Sequence, residues 1–425
     1  MKEVDLAVIG GGAAGMMAAL SAAEYLGGQG AVALLEGGQR IGRKLLATGN
    51  GRCNYSNTGV CPEAYNRPDF VRQVFSLCPR SETDALFARL GLVSREEEGR
   101  LYPASGTAAS VLDVLRLSLE ELGAELITDA KVAAVRQSRG RFILALSGQE
   151  ELTARRVVLA TGGKAGGPLN LPGGGYRLAE GLGHGLTRLN PGLAGFCCPE
   201  EKIKELGLKG LNGLRVSCRA VWRPKGGQAA EETGEILFRD YGLSGIAIFQ
   251  LSRCPGTGRL SLDLFPEESA EGLWRRLRER REALGARRAE EFLTGMTQRI
   301  IGQALIKRAE LRLFGKTAAQ LTDGELERLA GVMKDWSFPV SGAKGWEQAQ
   351  VTLGGLRLEQ FAPDRLESLL CPGFYAAGEA LDVDGPCGGY NLQWAWSSGR
   401  LAGRAAAAAL IGRGDRIKQK AGRKE

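Results

Sequence analysis

The sequence predicts an α/β protein in which a nucleotide-binding domain with a parallel sheet is split by an insertion, itself part β and part helical. Three observations predict this. A strand, glycine turn, helix and strand open the chain. A second glycine-rich block followed by an alanine-rich helix closes it. The texture between about 192 and 336 belongs to neither.

In chain order, Val4 to Ile9 reads as a buried parallel strand. It runs into Gly10-Gly11-Gly12-Ala13-Ala14-Gly15, and an Ala/Met/Leu helix follows to about Leu26. Ala31 to Glu36 is the second strand, and a βαβ unit closed by an acid is the Rossmann-type dinucleotide fingerprint in context. Gly10 permits the tight turn, Gly12 lets the backbone approach phosphate, and Gly15 allows close helix–strand packing. The helix N-terminus adds its positive dipole. Glu36 stands where ribose hydroxyls need an acceptor, and its charge argues against a 2′-phosphate. The block Gly42 to Asn54 interleaves Arg43, Lys44 and Arg52 with glycines, Asn50 and Cys53, suiting a loop along a pyrophosphate and flavin.

Val111 to Leu122 has helical spacing, and Lys131 to Leu146 gives two strands around Ser138-Arg139-Gly140. Arg156 to Ala160 is another buried strand, ending in Thr161-Gly162-Gly163. Short alternating strands (Arg215 to Trp222, Glu235 to Phe238, Arg259 to Leu264) then mark a β-rich module. A charged helical stretch follows, with Leu273, Leu277, Leu284, Phe292, Ile300, Ile301, Leu305 and Leu326 as core candidates. The expected plan is residues 1–190 and 351–425 for the cofactor domain, 191–265 β-rich, 266–336 helical, and 337–350 a return strand.

The closing block, Gly373 to Glu379, Asp382 and Gly388-Gly389-Tyr390-Asn391, completes the argument. One glycine turn holds a pyrophosphate; a second at the other end implies a long cofactor gripped twice, hence FAD. Asp382 could bond ribityl hydroxyls, and the helix after Gly389 could aim its dipole at the flavin's pyrimidine edge.

Composition narrows the class. With 425 residues the chain can form two or three domains. No run approaches the roughly 18 apolar residues of a membrane span, and no leader precedes the first strand, so a soluble, cytoplasmic protein is expected. Nine cysteines without a Cys-x-x-Cys signal neither zinc nor a dithiol centre. Half of the +8 net charge sits in a tail from Gly412 to Glu425 expected to fray, so no stable nucleic-acid binding is expected.

Several residues admit a structural reading beside a chemical one. His184, the only histidine, reads as a helix-end cap rather than a catalyst. Cys53 could form a flavin adduct, but a buried small hydrophobe is favoured. Cys197-Cys198 reads as packing. Trp394 and Trp396 suit pocket or core equally, and the Arg275 to Arg288 cluster reads as a solvated helix face.

The sequence resembles the YhiN/HI0933-like NAD(P)/FAD-dependent oxidoreductases, whose members are assigned as aminoacetone oxidase-like enzymes or 3-dehydro-bile acid reductases. The matching stretches are Gly10 to Gly15, Gly42 to Asn54, Leu101-Tyr102-Pro103 with Ser105, and Leu159 to Gly163. They continue with Gly234 to Phe238, Gly242 to Gly245, Val351 to Gly355 and Ala377 to Gly399. The resemblance implies an inserted β-barrel-like module and a helical module. It places FAD contacts on Gly10, Gly12, Ala13, Ala14, Gly15, Glu36, the Arg43 to Asn54 loop and the backbone of Val132. It adds Thr161, Gly162, Gly378, Glu379, Asp382, Gly389, Tyr390, Asn391 and Leu392. The chain departs from the family where many relatives carry Thr-His and it has Arg239-Asp240, which removes a histidine acid or base there.

With one dinucleotide fingerprint, NADH or NADPH would have to bind transiently over the flavin. Reduction of an enone needs hydride at the β carbon and a proton at the α carbon; Asp240, Tyr241 and Tyr390 are the polar candidates for the proton. An oxygen-using amine oxidase is an alternative, as is a flavin-dependent tRNA-modifying protein, and the insertion decides among them.

Overall fold

The computed structural model describes residues 2–148, 150–167 and 174–421, with side chains through 412 except at residue 174. The side chains of the basic tail expected to fray therefore lie outside the described residues; helical backbone runs to Ala421. The chain divides into two compact units, Met1–Asn190 with Gln350–Glu425, and Pro191–Ala349.

In the first unit the strand Lys2–Ile9 lies between Val32–Leu35 and Glu151–Leu159, parallel to both, and Glu125–Ile127 extends the sheet beyond Val32–Leu35. The long strand Glu151–Leu159 carries two neighbours on its far side. Its first half pairs antiparallel with Arg141–Leu146, which pairs in turn with Val132–Ser138. Its second half, Val157 to Leu159, pairs parallel with Phe374–Ala376. A strand from the closing block thus enters the sheet one strand away from the opening one. Both faces of a parallel sheet are covered, so its strands read as continuous apolar runs instead of alternating with polar residues. Leu6, Ala7, Val8, Val157, Val158 and Leu159 are accordingly all fully buried.

The first helix, Ala13–Leu26, packs along the final helix, Tyr390–Ala421. The approach is too close for side chains at two places. A Cβ on Gly399 would stand 2.4 Å from the carbonyl oxygen of Ala14, and one on Gly403 would stand 2.1 Å from that of Ala18. The spacing of four on both helices puts each glycine on one ridge against an alanine on the other. Trp394 and Trp396 are core, not pocket lining: both are buried, their indole N–H groups donating to Gly378 O (3.0 Å) and Tyr55 O (2.8 Å).

His184 is buried and stacked on Phe361 at 5.0 Å. Ser368 Oγ accepts N–H bonds from Leu370 and Cys371, so its own proton goes to His184 Nε2 (2.8 Å). Nδ1–H then donates to Ala179 O at 3.1 Å. Both nitrogens are satisfied only in the neutral ring, and burial lowers the pKa below its ordinary 6.5. The unfolded chain therefore takes up this proton first as pH falls. The stability the neutral ring contributes is complete above about 6.5 and drains away as pH drops toward the folded value. Proton NMR of the single imidazole should titrate below 6.5 in the native protein; a midpoint at or above that value would refute the arrangement.

The second unit holds an antiparallel sheet whose strands follow the order Trp336–Val340, Gly258–Asp263, Arg215–Pro224, Ala230–Arg239, Gly242–Ser244, Phe196–Cys197, Gly342–Ala343. The first and last of these are halves of one segment with only Ser341 between them, so the sheet curls round and closes on itself as a small barrel. Three helices, Ala270–Ala283, Arg299–Arg308 and Asp323–Lys334, pack beside it. Ser269 caps the first, and Thr322 with Glu325 forms a capping box on the third. Leu273, Leu277, Phe292, Ile301, Leu305 and Leu326 are buried, and Leu284 is half-buried.

Two expectations fail here. Ile300 is 48 % exposed, because it lies in the first turn of its helix, one residue from the buried Ile301 face. The Arg275 to Arg288 cluster is not merely solvated. Arg280 donates to the carbonyls of Phe292 and Thr294, and Arg281 to Leu321 O and Asp323, tying the helix to two loops.

Candidate cofactor site

The glycine turn after the first strand is shaped by its surroundings. Gly10 has φ +110°, and a Cβ there would lie 2.5 Å from Ala160 O. A Cβ on Gly15 would meet Gly10 O at 1.8 Å. Gly12 differs: its φ of −83° suits any residue, and a Cβ would find nothing within 4 Å. The turn is closed behind Gly10 and Gly15 and open in front of Gly12, where the Ala13–Leu26 helix begins with no side-chain cap. An uncapped helix N-terminus facing free space is a cradle for a phosphate oxygen.

Glu36 supports this turn from the second strand. Its carboxylate accepts Gly11 N–H at 2.9 Å and Gly38 N–H at 2.8 Å, which fixes its direction and leaves further lone pairs for ribose hydroxyls. Ala130 N–H donates to Glu36 O (2.9 Å), bringing the start of the Val132–Ser138 strand alongside, and Arg43 lies next to Gly38.

The Gly42 to Asn54 block folds as a short helix, Arg43–Ala47, followed by a tight loop with left-handed backbone at Gly49, Asn50, Gly51 and Cys53. That conformation explains the density of Gly and Asn in the sequence. Lys44 leaves the loop to pair with Glu379 at 2.6 Å, while Arg52 turns to Glu97 (2.6 Å) and over the Tyr102 ring (4.2 Å). The Arg52 guanidinium is thus engaged by Glu97 and Tyr102. Cys53 is fully buried and its thiol is pushed up to about 12 by burial. It is a thiol rather than a thiolate near neutral pH, which disfavours adduct chemistry.

The closing block comes to the same place. Gly378 is held by Ser398 Oγ and Trp394, and a Cβ on it would touch the Ala14 side chain at 2.7 Å. Glu379 accepts Thr352 N–H (2.6 Å) as well as Lys44, beside Gly162. Gly389 lies against Ser56 and Asn54, and Asn57 donates to Gly388 O at 2.9 Å. Asn391 grips the loop before it, accepting Gly385 N–H (2.9 Å) and donating to the carbonyls of Gly385 and Pro386. Tyr390 accepts the Tyr65 hydroxyl on its carbonyl (2.8 Å), and Leu392 is half-buried in the same helical turn.

Asp382 also has partners within the protein. It is buried, with Arg67 on one carboxylate oxygen and Asn66 on the other (3.1 Å). Asn66 also exchanges bonds with the Asp384 backbone. The carboxylate anchors residues 66–67, and with them Tyr65, to the closing block. Asn66 and Arg67 were not singled out from the sequence: their partners are distant in the chain, and no local pattern marks them. Thr352 lay in the matching stretch Val351 to Gly355 but was given no role of its own.

Two buried polar atoms on these elements, Asn54 Oδ1 and Thr161 Oγ1, have no hydrogen-bond partner among the described residues. Native interiors rarely leave such groups unpaired, so they mark places where a bound group would supply the partner. An open phosphate cradle, a ribose acid and orphaned donors or acceptors fit FAD. Asp240 and Tyr241 lie in the other unit. Asp240 is exposed, and the Tyr241 ring carries the Lys344 ammonium over its face at 4.1 Å. Among the described residues no group of His, Cys, Asp or Glu could hold a metal ion, and no helix is long and apolar enough to cross a membrane.

Comparison with known proteins fixes the family. The profile of the HI0933-like protein Rossmann domain matches residues 4–405. The chain belongs to the HI0933-like family. As a member it is an FAD-dependent oxidoreductase. It is 36 % identical over 411 residues to a 3-dehydro-bile acid delta(4,6)-reductase of Clostridium scindens, covering 95 % of this chain and 98 % of that one. It is 30 % identical to a ribosomal RNA dihydrouridine synthase of Escherichia coli, covering 94 % and 96 %. Among solved structures, an open-conformation flavocytochrome c3 fumarate reductase aligns with a TM-score of 0.49 and 15 % identity, covering 96 % of this chain and 79 % of that one.

Proposed function

We propose that this HI0933-like protein reduces a carbon–carbon double bond conjugated to a carbonyl, in a small lipophilic substrate of the 3-dehydro-bile acid kind. NADH or NADPH would supply the electrons, binding transiently over the flavin. The observation that carries the reading is the 36 % identity, over nearly the whole of both chains, to the Clostridium scindens reductase. FAD would supply hydride to the β carbon; the protein must place the substrate, exclude water and deliver a proton to the α carbon. Tyr241, Asp240 and Tyr390 remain the proposed donors. Burial raises the Tyr390 pKa, keeping its hydroxyl protonated and able to donate near neutral pH.

A second reading has its own support in the Escherichia coli relative. The 5,6 double bond of uracil is also conjugated to a carbonyl, so the same half-reaction would serve a ribosomal RNA substrate. Anaerobic stopped-flow reduction with NADH and NADPH, followed by timed reoxidation, separates these readings from each other and from an amine oxidase. Bleaching by a nicotinamide, then rapid recovery with a 4-ene-3-keto steroid, is the expected result. Recovery with unmodified ribosomal RNA but not with the steroid would favour the second reading. Reduction by an amine with recovery by oxygen alone would overturn both.

A further inference from the structure

Tyr176 carries an inference that goes beyond the reaction proposed above. It is 4 % exposed, and its hydroxyl has no hydrogen-bond partner among the described residues. It belongs to the Gly174–Glu180 helix, and the preceding Gly175 is pressed onto the Thr161 side chain, where a Cβ would meet Oγ1 at 1.8 Å. The helix that carries the phenol is thus packed against the Thr161-Gly162-Gly163 turn. Glu379 and Asp382 act on it electrostatically, and Thr352 lies beside it without hydrogen-bond geometry.

The acceptors nearby are turned to other partners, and none bonds the Tyr176 hydroxyl. Glu379 takes Lys44 on one oxygen and Thr352 N–H on the other. Asp382 takes Arg67 and Asn66. Thr352 Oγ1 accepts the N–H groups of Lys164 (2.7 Å) and Ala165 (3.0 Å). Burial and the two carboxylates drive the Tyr176 pKa far above its ordinary 10, so the hydroxyl stays protonated and able to donate. A buried donor without an acceptor costs folding free energy, which a ligand oxygen would recover. Two carboxylates nearby favour a neutral oxygen over a phosphate.

We propose that Tyr176 donates its hydroxyl proton to a neutral polyol oxygen of the bound cofactor, the ribityl chain of FAD. It is then a binding residue that holds the flavin half rather than the nucleotide half. The hydroxyl should thus have opposite effects on the empty and the loaded protein.

The test is Tyr176→Phe in the full chain. Flavin release, followed by the fluorescence of FAD freed on dilution, should quicken about tenfold, the scale of one lost hydrogen bond of roughly 1.4 kcal/mol. The flavin-stripped variant should melt no lower than the stripped wild type, since an unpaired buried group has been removed. Binding of ADP, which lacks the ribityl chain, should be unchanged. Unaltered flavin release would overturn the proposal. So would a lower melting point of the stripped variant, which would make the hydroxyl a structural bond. Equal weakening of ADP would move the contact to the nucleotide half and overturn the ribityl assignment. None of these readouts depends on which double bond is reduced, so a failed enone assay leaves the test intact.

Discussion

Replacing Gly12 by valine will leave the protein folded and strip it of flavin. The backbone at residue 12 has φ −83° and ψ −171°, extended geometry in which a β-branched side chain is at ease. A Cβ there meets nothing within 4 Å, so the empty chain has no reason to distort. That same space is what a diphosphate needs if it is to reach the N–H groups at the start of the Ala13–Leu26 helix. Isopropyl in that space should weaken FAD binding by a factor on the order of 100 or more, the effect of losing several charge-assisted contacts at about 1.5 kcal/mol or more each. The flavin-to-protein absorbance ratio after purification, taken with far-UV circular dichroism, reads both halves of the expectation. Gly10→Ala is the contrast: it forces a positive φ of 110° and a clash with Ala160 O, so it should damage folding and binding together. A yellow, fully loaded Gly12 variant would mean that the pyrophosphate lies elsewhere.

Gly403→Leu is the second large effect, and here the fold itself gives way. The Cβ alone would stand 2.1 Å from the Ala18 carbonyl oxygen, and both atoms belong to helices buried along their contact. Relief requires the helices to separate, which opens voids beside Ala14, Ala18, Ala402 and Ala406. A cost on the order of 3 kcal/mol is expected from overpacking, a large share of the roughly 5–15 kcal/mol that holds a domain together. Urea titration followed by tryptophan fluorescence is well placed to see it, since Trp394 and Trp396 are buried in the same helix. Gly412→Ala is the internal control: its Cβ would face open space, and alanine is the better helix former by about 1 kcal/mol. If Gly403→Leu kept the wild-type midpoint, the close helix contact would be wrong.

The features legible in the sequence were those whose cause is local. The turn at Gly10, Gly12 and Gly15 is written in three adjacent constraints, and the left-handed loop at Gly49 to Cys53 shows itself in its Gly and Asn content. Hairpins such as Val132–Ser138 with Arg141–Leu146 follow from alternation and an Arg139-Gly140 turn. What escaped was set by distant partners. Asp382 was expected to bond ribityl hydroxyls, and no local pattern showed that Asn66 and Arg67 would also sit on its carboxylate. Arg280 and Arg281 looked solvated because a helix wheel cannot show the carbonyls of Phe292, Thr294 and Leu321 that wait for them. Tyr176 carried no signal at all: a tyrosine after a run of glycines stands out only when its hydroxyl is found buried and unanswered.

The pairing of Phe374–Ala376 with Val157 to Leu159 bears on how the protein is made. During translation residues 2–159 emerge early, yet the central sheet keeps an open flank while the ribosome adds the whole 191–349 unit and then some. That intervening unit has its own core and can mature first. The edge of strand Glu151–Leu159 therefore stays unpaired over Val157 to Leu159 until residues 374–376 have been made. Flavin capture would come only near the end of synthesis, so scarcity of the vitamin should show itself as degraded full-length chains, not as truncated ones.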